Sequence, residues 1–525
     1  MTFTQKPIET SHRLPKEAFR QKILPLDEIG VIAEQARAEG KKVVLAHGVF
    51  DLIHVGHLRH LQEAASMGDI LVVTTTEDEY VNKGPGRPVF SEQLRTEMLA
   101  ALEIVNYVGI SRHPSAETVI ESIRPDIYVK GPDYENAADD LTGKIGVEQH
   151  AVEKHGGRVV ITDDVTFSSS TLINRYLDVN DPELQEYLSG ARTRNALDQI
   201  YSAIGAIEDM KVLLVGDTII DDYYYVTPIG KSPKENIIAT LDEGRETFAG
   251  GIIATANHVA NLCGQVDVIT SIGNVNSYEE LIRSSLAPNV GLTIIERDGA
   301  PTVRKRRFID PTYMRKLFEV YHMEDSPSPP DFEEAVNLAI TEQIGNYDVV
   351  IINDFGHGLI MPSTISILCE QSKFLAVNAQ SNSGNLGFNL ITRYPRAGYI
   401  SIDLPEARLA LANKYDDLEQ IAEELVPNRV GCNLLSITHG KNGCLTYQPG
   451  KSPVKIPAFT KTVVDTVGAG DAFLAVTSPV AATGAPPEVI GLIGNAAGAI
   501  KVGIIGHRKS IDKIALLKFL TSLLK

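Results

Sequence analysis

Residues 465–473 read Asp-Thr-Val-Gly-Ala-Gly-Asp-Ala-Phe and run on into Leu474-Ala-Val476. This is a glycine-rich turn holding two acids, followed by an apolar stretch that can open a helix. The first amides of a helix have no intrahelical acceptor and sit at the positive end of the dipole, so they make a site for phosphate oxygens. Gly468 and Gly470 let backbone approach a phosphate closely. Asp471 stands beside that anion hole, placed to take a proton from an attacking hydroxyl.

The surrounding chain is large enough for several such units. Its 525 residues predict two to four domains, each with its own core. A hydrophobic share of 43% and a charged share of 22% are those of a soluble globular protein. The net charge of −18 argues against nucleic acid or an anionic membrane as a bulk partner. Four scattered cysteines, Cys263, Cys369, Cys432 and Cys444, suit neither a disulfide framework nor a zinc site, and they fit a reducing cytoplasm. The first ten residues lack a signal-peptide pattern, and no apolar run is long enough to span a bilayer.

Periodicity predicts two alternating regions. In the first, a helix over 26–39 precedes a buried strand at 42–46. Strands at 70–75, 107–110, 127–130 and 159–162 then alternate with helices near 92–103 and 116–123, and a closing helix follows Phe167. Such alternation implies a parallel sheet covered by helices, with ligands at the carboxyl ends of the strands. A polar segment at 181–208 carries spaced Leu184, Leu188, Ile200 and Ile204. It reads as a helical connector whose apolar stripe is available for homo-oligomer contact. A second α/β region starts with the strand 211–216 and runs to the C-terminus, with strands at 266–271, 302–308, 348–352, 374–377 and 434–438. The expected division is an arm and helix (1–40), a first catalytic domain (41–180), a linker (181–208) and a second catalytic domain (209–525).

Residues 47–57, His-Gly-Val-Phe-Asp-Leu-Ile-His-Val-Gly-His, directly follow the first strand. His54 and His57 are three apart at a predicted helix start, so both rings face one way, and Gly56 leaves room for a phosphate between them. Two imidazoles there can bond triphosphate oxygens and stabilise charge as pyrophosphate departs. With Gly48 and Phe50, this string resembles the G-x-F-D-x-x-H-x-G-H hallmark of the cytidylyltransferase-like nucleotidyltransferases. Residues 82–89, 101–107, 125–134 and 168–173 resemble the adenylyltransferase half of the bifunctional heptose kinase/adenylyltransferases. That resemblance places Lys83, Arg87 and Arg95 near the triphosphate, Lys130 and Asp133 at the nucleotide end, and Ser168, Ser169 and Ser170 at the cap of the last helix. It implies a Rossmann-like domain, in-line attack of a sugar 1-phosphate on the α-phosphorus, and Mg²⁺ neutralising the triphosphate. The arginine that precedes the last motif in glycerol-phosphate cytidylyltransferases is replaced by the stretch 161–164, which favours ATP over CTP.

The string at 465–473 resembles the signature of the ribokinase-like (PfkB) carbohydrate kinases, implying an α/β domain with a small β lid. Residues 216–225 resemble that family's sugar-binding turn, with Asp217 and Asp221 aimed at sugar hydroxyls and Gly250 and Gly251 beside them. The family's next asparagine is Ala254 here, and Asn257 stands a turn further on as a substitute. Along 304–307, alternation pairs Arg304 with Arg306 and Lys305 with Arg307. The first pair is assigned to a phosphate already on the sugar, and a solvated edge strand is the other reading. By resemblance Thr438, Gly440 and Gly443 contact ATP phosphates, Asn495 lines the adenine pocket, and Glu406 organises Mg²⁺ indirectly. Two readings follow. One is a bifunctional enzyme with the domain order reversed from the heptose family. The other is a CTP-dependent transferase whose kinase domain serves binding or assembly.

Overall fold

The computed structural model describes residues 18–81, 87–113, 115–131, 144–162, 181–426 and 428–524. The chain divides into two units, 1–180 and 181–524.

In the first unit, five apolar stretches form a parallel sheet: β1 (Val43–Gly48), β2 (Ile70–Thr76), β3 (Tyr107–Ser111), β4 (Ile127–Lys130) and β5 (Arg158–Ile161). Their order is β3-β2-β1-β4-β5, so the winding reverses between β1 and β4. A crevice for ligand therefore opens at the carboxyl ends of those two strands. Both sheet faces are covered: Val43, Leu45 and Tyr128 point to one core, and Val44, Ala46 and Val129 to the other. The helix Leu26–Ala38 buries Ile29, Ala33 and Ala36 in the first of these cores. It is thus an integral layer of this unit.

The second unit has two sheets. The larger contains β6 (Lys211–Gly216), β9 (Gln265–Val275), β10 (Val290–Pro301), β13 (Val349–Asp354), β14 (Leu375–Ala379), β15 (Arg396–Asp403), β16 (Gly431–Thr438), β17 (Cys444–Tyr447) and β18 (Val454–Ile456). Its order is β10-β9-β6-β13-β14-β15-β16-β17-β18, parallel except for the last two pairings. The smaller sheet, β12-β11-β7-β8, is built from β7 (Thr218–Lys231), β8 (Ile238–Gly251), β11 (Arg304–Asp310) and β12 (Arg315–His322). It leaves the large sheet at the end of β6 and stands beside the crevice between β6 and β13.

The segment expected as a connector is helical, over Pro182–Thr193 and Ala196–Gly205. Its stripe of Leu184, Leu188, Ile200 and Ile204 is buried in the core of the second unit, not left for an oligomer contact. Arg192 fastens it by donating to the Leu523 and Leu524 carbonyls at 2.9 and 3.2 Å. Burying four such side chains is worth roughly 6–12 kcal/mol in transfer terms, reason enough for them to close over the nearest core. All four cysteines are buried and free. Among the described residues, no helix is long and apolar enough to cross a membrane.

Candidate active sites

In the first unit, β1 ends at Gly48 and the chain turns through Phe50, with φ 49°, into the helix Val55–Ser66. His54 is the N-cap of that helix, and its Nδ1 accepts the Gly56 N–H at 3.1 Å. A neutral His54 ring must therefore carry its proton on Nε2. That nitrogen is buried without a hydrogen-bond partner among the described residues. Burial lowers the His54 pKa, which keeps the ring in this neutral donor state. The His57 ring stacks on it at 4.1 Å, as the spacing predicts, and Phe50 packs edge-on against His57 at 5.2 Å.

Asp51 ties the next wall to this loop by accepting from the Val89 and Phe90 amides at 2.6 and 3.1 Å. Arg87, at the start of that wall, lies 3.7 Å from Asp51. Two expectations change here. Arg95 does not face the site: it is fully buried and holds the Val49, Phe90 and Thr76 carbonyls at 2.6, 2.9 and 2.7 Å, clamping the loop from behind. Lys130 ends β4 at the crevice, but its ammonium pairs with buried Glu148 at 2.7 Å, so its charge is balanced within the protein. The sequence showed a lysine at a strand end and could not show the acid facing it. Lys83, Asp133, Ser168, Ser169 and Ser170 lie outside the described residues.

In the second unit, the helix Ala469–Ala482 starts from Gly468, whose φ of +75° is a conformation that side chains resist. Gly470 and the first-turn amides stand at this helix start, with Asp471 buried inside that turn. Burial raises the Asp471 pKa, while the Asn353 amide, donating to Oδ1 at 3.1 Å, holds the carboxylate in place. A partner that the sequence did not disclose is Lys501. Fully buried, it donates to the Val467 and Gly506 carbonyls, both at 2.7 Å, and puts a cation directly behind the glycine turn. Asp465, the other acid of the signature, is structural: it accepts from Tyr223 at 2.7 Å and from Lys316 and the Gly506 amide at 2.9 Å.

The lid brings Asp221 and its partners to this cleft. Burial would raise the Asp221 pKa, but the Arg307 charge and a 3.0 Å bond from His507 outweigh it and hold the group ionised. A Cβ on Gly250 would come within 2.1 Å of the Asp221 carboxylate, so the glycine is needed for that close approach, with Gly251 next to it at the strand end. Asp217 accepts three amides of the loop after β13, from Phe355, His357 and Leu359, at 3.2–3.3 Å. Burial and Asp354 raise its pKa to about 7. Asp217 thus shapes that loop and keeps lone pairs to spare.

The alternation along β11 is as expected, but the assignment of its faces is reversed. Arg306 bonds Asp222 at 2.9 Å and lies over the Tyr224 ring, and Arg304 bonds the Tyr278 hydroxyl at 2.7 Å. Both belong to the face away from Asp221. Lys305 and Arg307 face inward instead. Lys305 is 5% exposed, and burial lowers its pKa against the raising influence of Asp221 and Asp217. Periodicity defines two faces and cannot say which the fold turns inward. Asn257 does not replace the lost asparagine either, because its amide is spent on the Ser285 carbonyl and Ala287 N–H, both at 2.8 Å.

Further along the large sheet, Thr438 closes β16, and Gly440 and Gly443 both take positive φ in the turn that follows. Asn495 donates to the Ile456 and Pro457 carbonyls at 3.1 and 3.0 Å. Glu406 forms a capping box with Asp403 and also accepts the Ser381 amide, so backbone engages both of its oxygens. Burial and the nearby Asp403 charge raise its pKa. Among the described residues, no group of three or more His, Cys, Asp or Glu forms a metal cage.

A doubly wound sheet, a side lid and a buried acid in an amide-rich helix start define the class of lidded α/β sugar-kinase folds. The chain belongs to the pfkB family of carbohydrate kinases, whose model matches residues 209–514. The cytidylyltransferase-like model matches residues 45–175, so the kinase follows the transferase, the reverse of the order in the bifunctional heptose family. In that transferase region the chain is similar to the bifunctional protein HldE of Syntrophotalea carbinolica, 40% identical over 163 residues, which are 30% of this chain and 32% of that protein. HldE of Citrifermentans bemidjiense is 41% identical over 154 residues, 29% of this chain and 30% of that protein. Each match thus spans about a third of the relative's length. Among solved structures, the ribokinase of Thermotoga maritima is matched at a TM-score of 0.47 and 19% identity, over 59% of this chain and 99% of that one.

Proposed function

We propose that the chain is a bifunctional enzyme of nucleotide-sugar synthesis acting on a heptose-like sugar. In the first step the second unit transfers the γ-phosphoryl of ATP to the anomeric hydroxyl, giving ADP and a sugar 1-phosphate from a free sugar, or a sugar bisphosphate from a sugar phosphate, whose other phosphate a separate phosphatase removes before the later step. In the later step the first unit joins a sugar 1-phosphate to ATP, giving an ADP-sugar and pyrophosphate. The observation that carries the reading is the buried Asp471 inside the Gly468 helix start, with Asn353 aiming its carboxylate and Lys501 behind the turn.

Asp471 accepts the hydroxyl proton as the sugar oxygen attacks, and burial strengthens it as a base. The first-turn amides hold the transferring phosphoryl where charge gathers. Asp221, fixed by Arg307 and His507, orients a sugar hydroxyl, and Lys305 receives an anionic group already on the sugar. In the transferase, Nε2–H of His54 and the stacked His57 stabilise the triphosphate as the sugar phosphate oxygen attacks the α-phosphorus and pyrophosphate leaves. Mg²⁺ bound with the nucleotides would neutralise phosphate charge in both steps.

The well-formed Asp471 environment speaks against a kinase domain kept only for assembly. A cytoplasmic location fits the four free cysteines. A homo-oligomer, if formed, would use the lid sheet, where Ile229, Ile238, Leu241 and Phe318 are exposed. The deciding experiment is a sugar and sugar-phosphate screen with ATP, following ADP and pyrophosphate separately for the parent, Asp471→Asn and His54→Ala. Loss of ADP production alone in the first variant and of pyrophosphate alone in the second supports the reading. A parent that forms pyrophosphate but phosphorylates no sugar would overturn the kinase half.

A further inference from the structure

A cavity of about 960 Å³ in the second unit is large enough for a nucleotide. Two of its walls belong to the nucleotide end of the proposed kinase site. One is His439, Lys441 and Asn442 of the turn after β16, and the other is 456–458, whose first two carbonyls Asn495 holds. The helix Leu404–Leu411 joins them: Glu406 in its first turn feels the Asp471 charge, while Leu404 and Arg408 line the cavity.

The remaining wall comes from the start of the second unit, at the covalent junction with the first. Asp181, Glu183, Leu184 and Tyr187 line the cavity from the helix Pro182–Thr193. This wall is anchored at both ends. Asp181 caps the helix through Oδ1, accepting the Glu183 amide at 3.1 Å, and pairs through Oδ2 with Lys461 at 2.5 Å. Lys461 lies just upstream of the 465–471 turn, so this contact links the helix start to the segment leading into that turn. The Tyr187 hydroxyl donates to Glu488 at 3.0 Å, and Arg194 holds the same carboxylate. Leu184 is 5% exposed and gives the wall an apolar side.

We propose that the first turns of this helix form the outer wall of the kinase nucleotide pocket, with Leu184 and Tyr187 facing the base and ribose of an adenine nucleotide. This rests on the kinase reading above and adds to it that the nucleotide state of the second unit is felt where the chain passes from one unit to the other. The sequence contains no tryptophan, so Glu183→Trp, at an exposed position on the rim, gives a single local reporter in the full-length chain. ADP titration should change its emission saturably, at the concentration where calorimetry of the parent detects binding. Hydrogen exchange on the parent chain should slow on ADP addition both at 181–190 and at 438–443. Protection of 438–443 alone, with a silent tryptophan, overturns the wall and leaves the kinase reading standing. Protection of neither segment overturns both.

Discussion

In the proposed function the two units meet a triphosphate at the same structural place, a helix start after a parallel strand, with opposite chemistry. In the transferase unit an imidazole caps the helix, and its free nitrogen is a neutral donor. In the kinase unit a glycine opens the helix, and a buried carboxylate occupies its first turn with a lysine behind. The difference follows from the reactions proposed. A phosphate oxygen is already a nucleophile, so the transferase needs donors for departing charge and no base. A sugar hydroxyl must lose a proton, so the kinase needs an acceptor beside its donors.

The comparison breaks most sharply at the two central residues. Asp471→Asn should lower sugar phosphorylation about a thousandfold and leave pyrophosphate formation unchanged, read by following ADP and pyrophosphate in parallel. His54→Ala should lower pyrophosphate formation about a hundredfold, as expected for removal of one preorganised donor, with the kinase rate untouched. If either variant depresses both activities equally, the two helix starts do not work as separate sites.

Specificity of the kinase cleft sharpens the contrast further. Lys305→Met should raise KM for a phosphorylated sugar about tenfold or more, the loss of one charge-assisted contact, with a much smaller effect on the unphosphorylated sugar. Arg304→Ala, on the outer face, should change KM less than about twofold. Equal effects of the two would return the strand to the reading of a merely charged edge.

The smallest effect is in the pH profiles, and the two sites should shift in opposite senses. The Asp471 pKa is raised, so as pH falls the base is protonated early, and the acid limb of the kinase lies above the ordinary carboxylate value near 4. The His54 pKa is lowered, so its ring stays neutral below the ordinary histidine value. The transferase should therefore keep its rate through about pH 6.5, where an unperturbed histidine would already be half charged.

Much of this was legible beforehand because it is local. The parallel strands at 70–76, 107–111, 127–130 and 211–216 follow from short apolar runs, and the stacked rings of His54 and His57 follow from a spacing of three at a helix start. Gly468 and Asp471 could be placed because one turn contains both the glycines and the acid. The long lid hairpin of β7 and β8 was not visible as a pair. Its outer half is exposed and charged, and its neighbouring strand, β11, lies far along the sequence.

The sequence by itself determined the two α/β units, their order, and the acid and imidazoles at their helix starts, since each depends on neighbours within a few residues. Tertiary structure alone decided which face of β11 turns inward, that Arg95 clamps a loop from behind, and that Glu148 balances Lys130. It also brought Lys501 under a turn more than thirty residues upstream and closed the 181–208 stripe over the kinase core. Pairings of this kind are set by long-range packing: a buried charge or apolar stripe takes whichever partner the fold brings to it, and leaving it without one costs more than any local preference supplies.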